Sequence, residues 1–198
     1  MGMPARGKTK TRNPLKETLL LLILQIEGPV GRYALKDMAG MADHEGVVRL
    51  MLTELKEDGH VTPTRQGNVL TDKGERFLAR RLKDHAIIAL KELRVPMLMS
   101  GPAAVGVHLR RKAETIPPLI ELRDAAVRAG ATGSTLLVFK DGLLTVPNVY
   151  PNLACVHAET NHHLMKTFDL SEDDLLIIIS ASTTWKAYEG AIATAMSL

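Results

Sequence analysis

Residues 43–71 read DHEGVVRLMLTELKEDGHVTPTRQGNVLT, and this stretch decides the fold of the N-terminal half. Its apolar residues recur at the i, i+3, i+4, i+7 spacing of one helical face: Val48, Met51, Leu52 and Leu55. This spacing predicts an amphipathic helix that packs on a hydrophobic core. Asp43 is predicted to cap the first turn, and Gly59 to end the helix in the left-handed region.

The elements around this helix define an order. After it come two β-prone runs, residues 61–64 and 68–71, which flank the turn Arg65-Gln66-Gly67 and predict a hairpin. Before it, residues 14–26 and 31–41 predict a leucine-rich helix and a short helix. Three helices, a hairpin and a further helix are the order of a winged helix-turn-helix, in which the third helix enters the DNA major groove.

A family resemblance agrees with this order. The stretch EGVVRLMLTELKEDGHV followed by QGNVLTDKGERFL resembles winged-helix regulators of archaea and bacteria, where an LT-x-KG segment opens the helix after the wing. The resemblance covers residues 14–84. Chain length and the C-terminal half further resemble archaeal proteins that join a winged helix to a domain of uncharacterised function. These resemblances imply a DNA-binding transcriptional regulator.

Composition indicates two domains. The 198 residues are 45% hydrophobic, enough to bury two small cores. The predicted parts are a flexible basic arm at 1–13, a winged helix-turn-helix at 14–94 and an α+β domain at 95–198. The winged helix is expected to end in a long helix over 72–93, which could connect the domains or form a dimer.

The sequence also predicts where the protein is found. No apolar run approaches the ~18 residues of a membrane-spanning helix. The N-terminal residues lack an apolar signal-peptide core, so we expect a cytoplasmic protein without membrane contact. A single cysteine, Cys155, excludes an internal disulfide framework.

Positive charge is concentrated in the N-terminal half. Residues 1–94 hold 17 of the 25 Lys and Arg residues but 12 of the 22 Asp and Glu residues. The arm carries four cations and no acid: Arg6, Lys8, Lys10 and Arg12. Such an arm can contact phosphates or a minor groove, and the alternative is a solubilising tail.

The third helix carries several acidic residues, which DNA phosphates would repel. Most lie in its C-terminal half, which points away from the groove in helix-turn-helix docking: Glu54, Glu57 and Asp58. Glu45 lies at the reading end, where a carboxylate can accept from cytosine N4, and Arg49 can contact guanine O6 and N7. His44 is a weaker DNA-contact candidate. Arg65 and Gln66 at the wing tip are expected to contact DNA, the alternative being a polar turn.

The C-terminal half predicts a small α+β domain of order β-α-β-β-β-α. Its predicted strands are residues 103–109, 134–139, 143–146 and 175–179. One predicted helix begins at Pro117-Pro118 and ends at Gly130, and a second occupies residues 185–196. A polar loop is expected between the hairpin and the last strand.

Two polar segments of this half are candidate sites. Four hydroxyl residues between the last strand and helix could bind a small anionic effector, or simply cap that helix: Ser180, Ser182, Thr183 and Thr184. The predicted polar loop contains four residues of types that can bind a metal ion: Cys155, His157, His162 and His163. Their spacing is irregular, but a metal site remains an alternative for this loop.

No catalytic motif is present, so we predict a protein that is not an enzyme and that needs no cofactor or metal. The leading hypothesis is a homodimeric regulator that binds double-stranded DNA, with a C-terminal domain for ligand sensing or assembly. The alternative is an enzyme or metabolite-binding protein that uses the winged helix as a protein-interaction module.

Overall fold

The structure is a computed structural model that describes residues 13–113, 116 and 118–198. The predicted α+β class is confirmed. The N-terminal unit contains α1 (Pro14–Glu27), α2 (Arg32–Met38), α3 (Glu45–Glu57), β1 (Val61–Pro63), β2 (Asn68–Leu70) and α4 (Asp72–Asp84). This is the predicted winged-helix order.

The third helix matches its predicted face and end but not its predicted start. The four apolar residues of the 43–59 pattern are all buried. Gly59 has φ +73°, the left-handed value that ends a helix. The N-cap is His44 rather than Asp43, and its side chain makes no capping hydrogen bond. The predicted Asp43 cap is therefore wrong, because the helix starts one residue later.

The hairpin is fixed against the strand-like entry to α2. β1 pairs antiparallel with β2, and Val30 bridges Asn68. At the turn, Gly67 has φ +143° and approaches Val30 so closely that a Cβ would lie 2.5 Å from the Val30 carbonyl carbon. Only glycine fits there, which fixes the position of the wing beside α3.

A second close approach anchors the wing to α4. Thr71 donates to the Gly59 carbonyl at 2.7 Å and accepts from the Gly74 amide at 3.1 Å. A Cβ on Gly74 would lie 2.0 Å from the His60 carbonyl oxygen. The first turn of α4 therefore packs directly on the backbone that follows α3.

Gly74→Ala is expected to destabilise the protein by about 1–3 kcal/mol, because overpacking against backbone outweighs alanine's helix preference of about 1 kcal/mol. Gly46→Ala in α3 is the matched control, since a Cβ there meets nothing within 4 Å and should stabilise. Urea denaturation measures both. Stabilisation by Gly74→Ala would contradict the close approach.

The C-terminal unit is built on one five-stranded sheet. Its strands are β3 (Ile87–Leu93), β4 (Ala103–Leu109), β5 (Gly133–Lys140), β6 (Leu143–Thr145) and β7 (Leu175–Ala181). Its helices are α5 (Leu119–Arg128), α6 (Leu153–Val156), α7 (Ala158–Thr167) and α8 (Thr184–Met196), with a short 3-10 helix at Pro96–Leu98. The strand order is β3-β4-β7-β5-β6, and every neighbouring pair is antiparallel. Pro117, part of the predicted start of α5, lies outside the described residues.

The predicted long helix over 72–93 is wrong. α4 ends at Asp84, Ala86 has φ +58°, and residues 87–93 form a strand that pairs with β4. The alanine and leucine spacing in this segment fits a helix locally, but the pairing of six of the seven strand residues with β4 overrides it. The helix therefore cannot serve as the expected connector, and the sheet gains an edge strand from residues before 95.

The predicted polar loop before β7 is also wrong. It contains α6 and α7, which place Leu153 and Leu164 in a buried cluster with Phe168 on one face of the sheet. Helices α5 and α8 cover the opposite face. All seven residues of β7 are buried, because this central strand is covered on both faces.

Helix α1 joins the two units. Its run from Leu19 to Leu24 is entirely buried, and α1 packs against both α4 and α8. Lys16 Nζ lies 2.6 Å from a Glu189 carboxylate oxygen of α8 and donates to the Ala39 carbonyl at 2.7 Å. The apolar core is therefore continuous from the winged helix into the sheet. Among the described residues, no helix combines the length and apolar character needed to cross a membrane.

Candidate nucleic-acid interface

A groove of about 210 Å³ lies between α3 and the hairpin. Its lining combines cationic side chains with short polar and apolar ones: Arg32, Arg49, Leu52, Thr53, Lys56, Val61, Pro63 and Asn68. Arg49 and Lys56 come from the same side of α3, one and three turns from its start, while Arg32 comes from the start of α2. The fold thus brings together three cations from two helices.

The three cations differ in their pairing. Arg32 Nη2 lies 3.0 Å from a Glu45 carboxylate oxygen. In the part of the chain that the structure describes, neither Arg49 nor Lys56 forms an ion pair, and both residues are exposed. The groove therefore presents two uncompensated positive charges to solvent, which suits an anionic backbone.

The residues predicted to contact DNA lie as follows. Arg49 lines the groove, Glu45 pairs with the groove residue Arg32, and Arg65 and Gln66 are exposed at the wing tip. His44 is an exposed N-cap residue outside the groove. The predicted arm contacts Arg6, Lys8, Lys10 and Arg12 lie outside the described residues.

Arg32 and Lys56 were missed by the sequence reasoning. Lys56 is displaced by seven residues from Arg49, a spacing of two helical turns, so the helical repeat alone could have placed it on the same side. No local sequence pattern predicted the position of Arg32, because its place beside α3 depends on how the first two helices pack. Tyr33, 60% exposed, lies beneath the Arg32 guanidinium, with 4.9 Å between Cζ and the ring centroid.

The four hydroxyl residues of the predicted anion site in the C-terminal unit differ in burial and in hydrogen bonding. Ser180 is buried, and its hydroxyl accepts from the Ser100 amide at 3.1 Å. Thr183 caps α8 by accepting from the Lys186 amide at 3.3 Å. Ser182 is exposed, and Thr184 lines a cavity of about 650 Å³. Two of the four hydroxyls thus have structural hydrogen bonds.

The possible metal residues lie on α6, α7 and their junction. The ring of His157 packs edge-on against Tyr150, with centroids 5.1 Å apart. In the described part of the chain, no three His, Cys, Asp or Glu side chains are grouped so as to hold a metal ion.

Family comparison concerns the sheet unit. Residues 100–198, half of the chain, match the model of a domain of unknown function, DUF4443. The chain belongs to the DUF4443 family. A solved structure, the hypothetical protein PH0730 from Pyrococcus horikoshii OT3, is similar at 26% identity with a TM-score of 0.68. The match covers 92% of this chain and 91% of that chain, so the likeness extends beyond the DUF4443 domain into the N-terminal unit. No curated protein matches.

The DUF4443 domain contains a buried polar cluster that the sequence reasoning missed. His108 Nε2 lies 2.7 Å from Asp174 Oδ2, and Arg110 donates to the same oxygen at 2.9 Å. The backbone amides of Arg111 and Ser171 also donate to this carboxylate, at 2.9 and 2.8 Å. Asp174 is fully buried, so the cluster ties the end of β4 to the start of β7.

The surroundings of Asp174 keep it ionised. Burial raises its pKa, but the His108 hydrogen bond and the two amides lower it more, so the pKa lies below its usual 3.8. Because the carboxylate is an acceptor only, His108 Nε2 carries the proton and donates. The cluster is structural in character, since its polar groups face one another inside the domain.

Proposed function

We propose that this DUF4443 protein is a DNA-binding transcriptional regulator. The observation that supports this best is the groove beside α3, where Arg49 and Lys56 carry unpaired charge next to Arg32. In a winged helix, this region faces the duplex: the start of the third helix contacts base edges and the flanking elements contact phosphates.

The groove residues have different proposed roles. Arg49, near the start of α3, contacts a guanine edge through two hydrogen bonds. Lys56 and the wing-tip residue Arg65 contact phosphates, which fixes orientation without reading sequence. The basic arm adds further sequence-independent affinity, through four cations.

The DUF4443 domain is proposed to regulate or assemble the DNA-binding unit. It packs on α1, so a change at α8 reaches the winged helix through Lys16 and Glu189. A small anionic effector at the start of α8, near Ser182 and Thr184, is one form of this regulation. A homodimer would place two winged helices on half-sites about one helical turn apart.

Selection from a random duplex library tests the proposed function. The full-length protein is expected to enrich a defined sequence, with a palindrome if it binds as a dimer. The same selection with Arg49→Ala should lose enrichment at one guanine position. Recovery of no DNA by the folded wild-type protein would refute the proposed function.

A further inference from the structure

Arg32 of the groove lining forms an ion pair with Glu45, the first residue of α3. Arg32 Nη2 lies 3.0 Å from Glu45 Oε1 and donates to the Tyr33 hydroxyl at 3.1 Å. The two charged side chains are 34% and 47% exposed, so both are partly accessible to a ligand. Arg32 is thus restrained on two sides without being sealed into the core.

This restraint leaves Arg32 incompletely satisfied. Its Nε is buried and has no hydrogen-bond partner among the described residues. A partly exposed ion pair contributes little stability, so exchanging one partner of this pair costs little free energy. A phosphate oxygen would replace the Glu45 carboxylate at the guanidinium without a net loss of charge pairing.

Glu45 can also exchange Arg32 for another hydrogen-bond partner. It is the first residue of α3, the end of the helix that reaches base edges. A carboxylate in the major groove is repelled by phosphates unless a donor receives it, and cytosine N4 is the base donor that it can use. Glu45 therefore has a favourable new partner only at a sequence with cytosine in register.

We propose that Glu45 is a specificity-determining residue that couples base reading to phosphate contact. On non-cognate DNA, Glu45 stays paired with Arg32, so one fewer cation of the groove contacts a phosphate. On cognate DNA, Glu45 accepts from cytosine N4 and releases Arg32 to a phosphate. This inference rests on the proposed function of the same surface, and it assigns Glu45 the role of limiting non-specific binding.

Glu45→Gln tests the coupling on random-sequence and selected duplexes, by fluorescence anisotropy over a range of salt. Releasing Arg32 adds one phosphate contact, which is expected to raise random-duplex affinity roughly eightfold at about 0.1 M salt and to steepen the salt slope by about 0.9. Affinity for the selected duplex should not rise, because Arg32 already contacts a phosphate there, so the ratio of specific to non-specific binding falls.

Two controls separate pairing from general charge removal. Glu121→Gln removes the same charge from an exposed site on α5, away from the groove lining, and should change random-duplex affinity less than twofold. Adding Glu45→Gln to Arg32→Ala should give no gain over Arg32→Ala alone, because no released guanidinium remains. Thermal unfolding and circular dichroism check that each variant is folded.

The outcomes are distinguishable. Equal gains from Glu45→Gln and Glu121→Gln, or a gain from Glu45→Gln over Arg32→Ala alone, would overturn the coupling while leaving DNA binding intact. Absence of salt-dependent duplex binding by the wild type and every variant would refute the proposed function and this inference together. Retention of the full specificity ratio by Glu45→Gln would also overturn the inference.

Discussion

Asp174→Ala is expected to destabilise the protein by about 3–5 kcal/mol, because it leaves the buried His108 imidazole and several other donors without their acceptor. Asp174 accepts from His108, Arg110 and two backbone amides while fully buried. Its removal uncouples the loop before β7 from the end of β4. Urea denaturation at neutral pH measures the loss of unfolding free energy.

The pH dependence of this effect follows from the lowered pKa. A carboxyl group with a folded pKa below its unfolded value of 3.8 contributes stability above pH 3.8, and that contribution is lost as pH falls through the folded pKa. The difference between wild type and Asp174→Ala should therefore be largest near neutral pH and should shrink below about pH 3.8. Asp169→Ala, an exposed aspartate nearby in sequence, is the control. Equal small losses from both variants would contradict the structural role of the cluster.

Arg49→Ala is expected to lower the discrimination between selected and random duplex by about 1–3 kcal/mol, the value of one bidentate base contact. Binding to random duplex should fall much less, because the lost interaction there is a single phosphate-like contact. Competition binding with both duplexes measures the two affinities. Arg49 carries no ion pair among the described residues, so its removal leaves no partner charge exposed.

Arg76→Ala is the matched control for Arg49→Ala. Arg76 is an exposed arginine on α4, outside the lining of the groove. The Arg76→Ala substitution removes the same charge and should leave the discrimination between selected and random duplex unchanged. If Arg49→Ala weakened binding to both duplexes by the same factor, Arg49 would be a phosphate contact rather than a base contact.

The N-terminal unit could be predicted from sequence because its signals are local. The apolar repeat of α3 spans eight residues, Gly59 marks the end of α3 before the hairpin, and Gly67 marks the turn within the hairpin. The α+β class was predicted correctly for the same reason, since the strands 103–109 and 175–181 are short apolar runs bounded by turn residues. Helix α6 was missed because it is only four residues long, and α7 was missed because its apolar residues are sparse.

Other features depend on contacts between distant residues. Residues 87–93 satisfy a helical spacing, but their partner strand is what makes them extended, and a local pattern does not contain that partner. Asp174 and His108 are 66 residues apart, so neither position indicated the cluster by itself. Arg32 likewise reached the groove through the packing of α2 on α3, which the spacing within either helix does not specify.

The proposal that the α3 and wing surface binds duplex DNA is tested most directly by the salt dependence of binding in a variant of this surface. Lys56→Ala combined with Arg65→Ala removes two proposed phosphate contacts, whereas Lys140→Ala combined with Lys166→Ala removes two exposed cations from the DUF4443 domain. We expect wild-type affinity for random duplex to fall linearly with salt on logarithmic axes. The first variant should flatten that slope by about 1.8 and the second should leave it unchanged. Equal slopes for the wild type and both variants would contradict DNA binding through this groove.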